Sequence, residues 1–99
     1  MKVRLPKEAR RLARAALRVR PQLPPSRRYG TPIGLGIAAA IGRGDAVDGA
    51  RVLSFLQRAR PAYQLALKKG TRSPRTSRAV GAYYLWGGEP ARRYLERLI

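Results

Sequence analysis

The chain contains no cysteine and no histidine. No disulfide, thiolate or imidazole can form part of it, which removes Cys-His and Ser-His nucleophilic pairs and zinc sites of the usual kind. Carboxylates number only five, Glu8, Asp45, Asp48, Glu89 and Glu96, and they are scattered along 99 residues. That is a thin supply for a two-metal nuclease. We therefore expect no enzyme, no metal and no cofactor. Long apolar runs are missing too: the longest, Ile33 to Ile41, covers nine residues including two glycines, where a spanning helix needs about 20. The N-terminal stretch alternates cations with small apolar residues and lacks the continuous apolar core of a secretory signal, so cytoplasmic residence in a host cell, or residence in a virion, is expected.

What the chain has is positive charge. Twenty-two Lys and Arg against five Asp and Glu leave a formal +17. Residues 1–30 carry ten cations against Glu8, and residues 58–99 carry ten against Glu89 and Glu96. Between them, 31–57 balances Arg43 and Arg51 against Asp45 and Asp48. A GC-rich genome would enrich arginine but would not segregate it. Self-repulsion on this scale opposes compaction in a domain whose net stability is about 5–15 kcal/mol, so a polyanion is the natural partner. Nucleic acid comes first, because each phosphate covered by a cation releases condensed counterions. The excess of arginine over lysine suits bidentate phosphate contacts.

The periodicity predicts an all-α single domain over 1–99, with a basic helix and Pro-rich connector in 1–30 and a helical core in 31–99. Lys7–Arg20 reads as a helix whose Leu5, Ala9, Leu12, Ala13, Ala16 and Leu17 form one apolar stripe. Arg10, Arg14 and Arg18 stack on another face beside Arg11. Such a helix could lie on anionic lipid, but its alanine stripe without aromatics favours packing on the core instead. Pro21, Pro24 and Pro25 end it. Thr31-Pro32 opens a second helix, apolar nearly all round and so expected at the buried centre, with Gly34 and Gly36 admitting a neighbouring helix and Gly42 or Gly44 stopping it. Asp48 caps a third to about Arg60, where Pro61 ends or restarts it before a short turn over Ala62–Lys69. Thr71–Arg78 is a polar loop. Ser77 caps a helix through Trp86 with Ala79, Ala82, Tyr83 and Trp86 on one face, and Glu89-Pro90 starts a last helix to Ile99. Four or five short helices result, with no β-strand alternation.

Gly34-Leu35-Gly36 resembles a dinucleotide fingerprint only superficially, since proline and a basic loop precede it rather than a strand. Phe55, Tyr63, Tyr83, Trp86 and Tyr94 fall on inward helical faces. Tyr29, between Arg27, Arg28 and Gly30, does not, and Tyr84 is open to either reading.

The stretch Tyr83-Tyr84-Leu85-Trp86-Gly87-Gly88-Glu89-Pro90-Ala91-Arg92-Arg93-Tyr94 resembles a signature of small uncharacterised phage-encoded helical domains, in which an aromatic helix ends in Leu-Trp-Gly-Gly, an acidic residue follows, and a basic pair precedes an aromatic. Looser likeness extends over about residues 26–99, through Arg28-Tyr29-Gly30, the Ile/Ala-rich helix, Val47-Asp48 and Ser54-Phe55. Those proteins commonly carry a second tryptophan where Tyr94 stands, and a Gly- and Lys-rich loop in place of 71–78. The resemblance implies a phage or mobile-element origin and a compact helical fold, without a settled activity.

Together these features lead us to expect non-catalytic binding of nucleic acid, duplex DNA over RNA, mainly through phosphates. Arg10, Arg11, Arg14 and Arg18 would track one strand, Arg27, Arg28 and Tyr29 would anchor the connector, and Arg72, Arg75 and Arg78 would form a second contact loop. The competing expectations are a virion or assembly protein meeting an acidic partner, and a small regulator of a host enzyme such as RNA polymerase.

Overall fold

The computed structural model describes all residues 1–99 and is an all-α globule of five helices. The helices are α1 (Lys7–Val19), α2 (Pro32–Arg43), α3 (Gly49–Lys68), α4 (Arg78–Leu85) and α5 (Gly88–Leu98). Two 3-10 turns, Arg20–Gln22 and Pro25–Arg27, carry the proline connector between α1 and α2. None of the helices is long and apolar enough to cross a membrane.

Local chemistry sets most boundaries. Thr31, Asp48 and Ser77 each stand just before a helix, and their side-chain oxygens accept from the amides of Gly34 (3.1 Å), Arg51 (3.3 Å) and Val80 (3.2 Å). Each satisfies one of the free amides at a helix start, a contribution of about 1 kcal/mol. Within the stripe of α1 the alanines at 9, 13 and 16 are completely buried, and their small size brings α1 close to α2, α4 and α5.

Four features depart from the sequence reading. The centre of the molecule is α4, not α2. Val80, Gly81, Tyr83 and Leu85 of α4 are buried against α1, α2, α3 and α5, whereas α2 buries only Gly34, Ala38 and Ile41 and leaves Ile33 61% exposed. Hydropathy ranks α2 the more apolar helix, but burial follows where the neighbours pack, and α4 is the one they surround. Gly36 admits no helix: a Cβ there would meet nothing within 4 Å.

Pro61 does not end α3, which continues to Lys68. Proline removes one amide from the ladder, and Pro61 sits on the exposed side. The turns beyond it are held by Tyr63 stacked on Tyr83 (centroids 4.2 Å, planes 16° apart) and by buried Ala66, whose carbonyl accepts from both the amide and the hydroxyl of Thr71. Finally, Lys2–Val3 (β1) pairs antiparallel with Val47–Asp48 (β2), Lys2 opposite Asp48 and Val3 opposite Val47. Two residues are too few to show an alternation in sequence.

The expected reversal between the last two helices is present. Gly87 and Gly88 have φ of 99° and 64°, a conformation that glycine adopts without steric cost. A Cβ at Gly87 would lie 2.6 Å from that of Ala91, so α5 folds back directly on the corner. Trp86 closes it, 8% exposed and stacked on Phe55 with centroids 4.3 Å apart.

Candidate nucleic-acid interface

The expected arginines divide into groups with different roles. On α1, Arg14 Nη1 donates to the Gly42 carbonyl at 2.8 Å, and the half-buried Arg10 guanidinium lies against Gly44, with Nη1 3.0 Å from where a Cβ would stand. Gly42 belongs to the last turn of α2, where carbonyls lack intrahelical partners and the helix dipole is negative. Arg14 thus caps the C-terminus of α2, and Arg10 packs beside it with its buried Nε unpaired. Arg11 and Arg18 remain exposed on the same helix.

In the connector, Tyr29 is not a surface residue. It is 2% exposed, its hydroxyl donates to the Ala16 carbonyl at 2.7 Å, and its ring fills the space left by Gly81. Burial pushes its hydroxyl up to about 12, the positive charges of Arg20 and Arg75 acting the other way. Contrary to what its place in a basic loop implies, Tyr29 is not a contact residue: a ring buried in the core cannot stack on a base. The signal that could have revealed this is Gly81, a helix-interior glycine in a segment otherwise rich in large residues.

The neighbouring arginines build the connector. Arg28 donates from Nε to the Leu23 carbonyl (3.0 Å) and from Nη2 to that of Pro21 (3.2 Å), and Arg27 Nη2 donates to Arg75 of the 71–77 loop (3.0 Å). Prolines supply carbonyls but no amides, and the guanidinium forks provide the missing donors. The connector and the loop, far apart in sequence, are thereby joined. Arg72 is exposed on the other flank, where its charge bears on the Tyr63 hydroxyl.

Where connector and loop meet, Arg27, Arg75 and Arg78 border one depression together with Pro74 and Thr76. Arg78 also lines the adjoining cleft, of about 530 Å³, with Arg28, Arg51 and Arg58. The apolar lining is Ile33, Phe55, Ala82, Leu85 and Trp86, and no carboxylate contributes to it. Arg51 and Arg58 escaped the sequence reading because Arg51 lies in the charge-balanced middle segment. Their spacing carries the missed signal: i and i+7 on α3, with Phe55 at i+4 between them, put all three on one face.

The opposite side of α4 is electrostatically closed. Glu89 Oε1 accepts from the Tyr83 hydroxyl (2.5 Å), Arg60 Nε (3.2 Å) and Arg92 Nε (3.1 Å), while Oε2 accepts from Arg92 Nη2 (2.6 Å). Arg92 also reaches Glu96 at 2.7 Å. This is more than the weak helix-start role that an i, i+3 pair implies. The Arg92 hydrogen bonds, opposed by burial and aided by Tyr83, hold the Glu89 carboxyl at about 2 instead of 4.5.

A carboxyl depressed in the fold contributes stability above its unfolded value and loses it as pH falls through the folded one. Glu89 should thus supply roughly 2–3 kcal/mol near neutrality, lost between pH 4.5 and about 2. Chemical denaturation across that range should show Glu89→Gln less stable at pH 7 by about that amount and flatter below pH 4.5. A variant as acid-sensitive as the parent would remove Glu89 from this role.

No protein-family model matches the chain, and neither a curated protein nor a solved structure is found to match it.

Proposed function

We propose that this is a non-catalytic nucleic-acid-binding protein that grips duplex DNA through its backbone phosphates. The observation that carries this reading is the gathering of guanidiniums around two depressions that share Arg78, with Arg28, Arg51 and Arg58 in one and Arg27 and Arg75 in the other, drawn from the connector, α3, the 71–77 loop and the start of α4, with no carboxylate in either. Guanidiniums gathered at this density repel one another, and a polyphosphate relieves that repulsion while releasing its counterions. Arg11 and Arg18 extend the positive field along α1.

Affinity for duplex DNA should fall steeply with salt, with a log–log slope corresponding to on the order of five or more phosphates. Replacing Arg58 and Arg78 by Gln should reduce that slope by about two. Replacing Arg10 and Arg14 should chiefly lower the melting temperature, because Arg14 bonds the Gly42 carbonyl and Arg10 packs against Gly44. Affinity nearly independent of salt would defeat the proposal.

The exposed Ile33 beside these cations favours a second reading, an acidic protein partner, as for a virion assembly protein or a regulator of a host enzyme such as RNA polymerase. Both suit the phage setting that the Leu85-Trp86-Gly87-Gly88 resemblance implies. Nuclease treatment during capture from host lysate separates the readings: loss of every partner supports nucleic acid.

A further inference from the structure

Phosphate contacts account for the guanidinium rim of the cleft but not for its interior. Duplex DNA presents charge on a convex backbone and keeps its bases stacked, so an apolar lining adds nothing to gripping it. Yet Ile33, 61% exposed on α2, faces the same space as Phe55 of α3, which is half-buried with one ring face on Trp86. The volume, about 530 Å³, falls among cavities that enclose small ligands, roughly 300–1,000 Å³. A ligand for this cleft must combine a flat, weakly polar body with negative charge at its edges.

We infer that the cleft takes one unpaired nucleotide, its base against Ile33 and Phe55 and its flanking phosphates on Arg51, Arg58 and Arg78. This rests on the nucleic-acid reading above and deepens it. Arginine suits both halves of such a ligand, since its plane stacks on bases while its fork pairs with phosphate. An acidic helix fits less well. To run along α2 it would have to continue into the adjoining depression of about 300 Å³ lined by Ile37 and Ala40, where the cations thin to Lys2 and Arg51 and the Asp48 carboxylate stands between them and an acidic ligand's charge. The cationic cleft is compact, matched to one nucleotide and its neighbours' phosphates.

The test compares three ligands of equal length across one salt series: single-stranded oligothymidylate, a base-free deoxyribose-phosphate strand, and duplex DNA. The chain's single tryptophan, Trp86, lines the cleft and reports occupancy by its emission. Oligothymidylate should bind at least about fivefold more tightly than the base-free strand, the lower end of stacking contributions, and should change Trp86 emission. Ile33→Gln, at an exposed position, and Phe55→Leu, close in volume, should each erase that preference and leave the duplex salt slope intact.

Equal binding of the thymidylate and base-free strands overturns the inference while leaving duplex binding standing. So does a Glu/Leu-alternating peptide that changes Trp86 emission where oligothymidylate does not, which would make the cleft a protein-docking site. Salt-independent or absent binding of all three nucleic acids overturns the nucleic-acid reading itself.

Discussion

Trp86→Ala is expected to cost about 3–5 kcal/mol, the range for removing a large aromatic from a core. Trp86 is 8% exposed, stacks on Phe55 at 13° between planes, and has its indole edge 3.4 Å from where a Cβ at Gly34 would stand. One residue thus ties α4 to both α2 and α3 at the point where Gly87-Gly88 turns the chain into α5. A domain with about 5–15 kcal/mol in total would keep little margin, and melting should fall by on the order of 20 °C. The loss must be followed by far-UV circular dichroism, because the substitution removes the only tryptophan. Because Trp86 also lines the cleft, binding should fall with stability. Unchanged melting with abolished binding would assign Trp86 to the ligand and not to the fold.

Gly81→Ala sets two effects of opposite sign against each other. In a helix interior, alanine is favoured over glycine by about 1 kcal/mol. Here the new methyl would lie 2.2 Å from Cε2 and 2.3 Å from Cδ2 of Tyr29. That ring cannot swing aside cheaply, since it is buried and its hydroxyl is bonded to Ala16. Overpacking costs about 1–3 kcal/mol and sometimes more, and displacing the ring would strip the buried Tyr29 hydroxyl of its acceptor as well. We expect a net loss of roughly 2–4 kcal/mol. A double-mutant cycle with Tyr29→Ala checks the cause: once the ring is gone, Gly81→Ala should cost nothing further and recover its helix advantage. If the single variant is as stable as the parent, the interlock between connector and α4 does not matter.

The sequence alone determined what depends on neighbours along the chain. Helical periodicity, the caps at Thr31, Asp48 and Ser77, and the glycine corner at 87–88 are local: a hydroxyl or carboxylate reaches an amide three residues on, and a left-handed turn needs glycine wherever it occurs. The absences of cysteine and histidine and the +17 charge were equally readable. Tertiary structure decided which apolar helix lies at the centre, because hydropathy ranks α2 above α4 while burial depends on how many elements converge. It also decided the fate of single side chains. Tyr29 looked like a surface aromatic in a basic loop, yet Gly81, 52 positions later, leaves room for its ring. Arg10 and Arg14 looked free until α2 ended beside them. Arg51 and Arg58 looked unremarkable until Arg28 of the connector and Arg78 of α4 came to line one cleft with α3, gathering four guanidiniums around Ile33 and Phe55. Charge acts over distances that only folding sets, so the sequence could count the cations but not say which of them stand together.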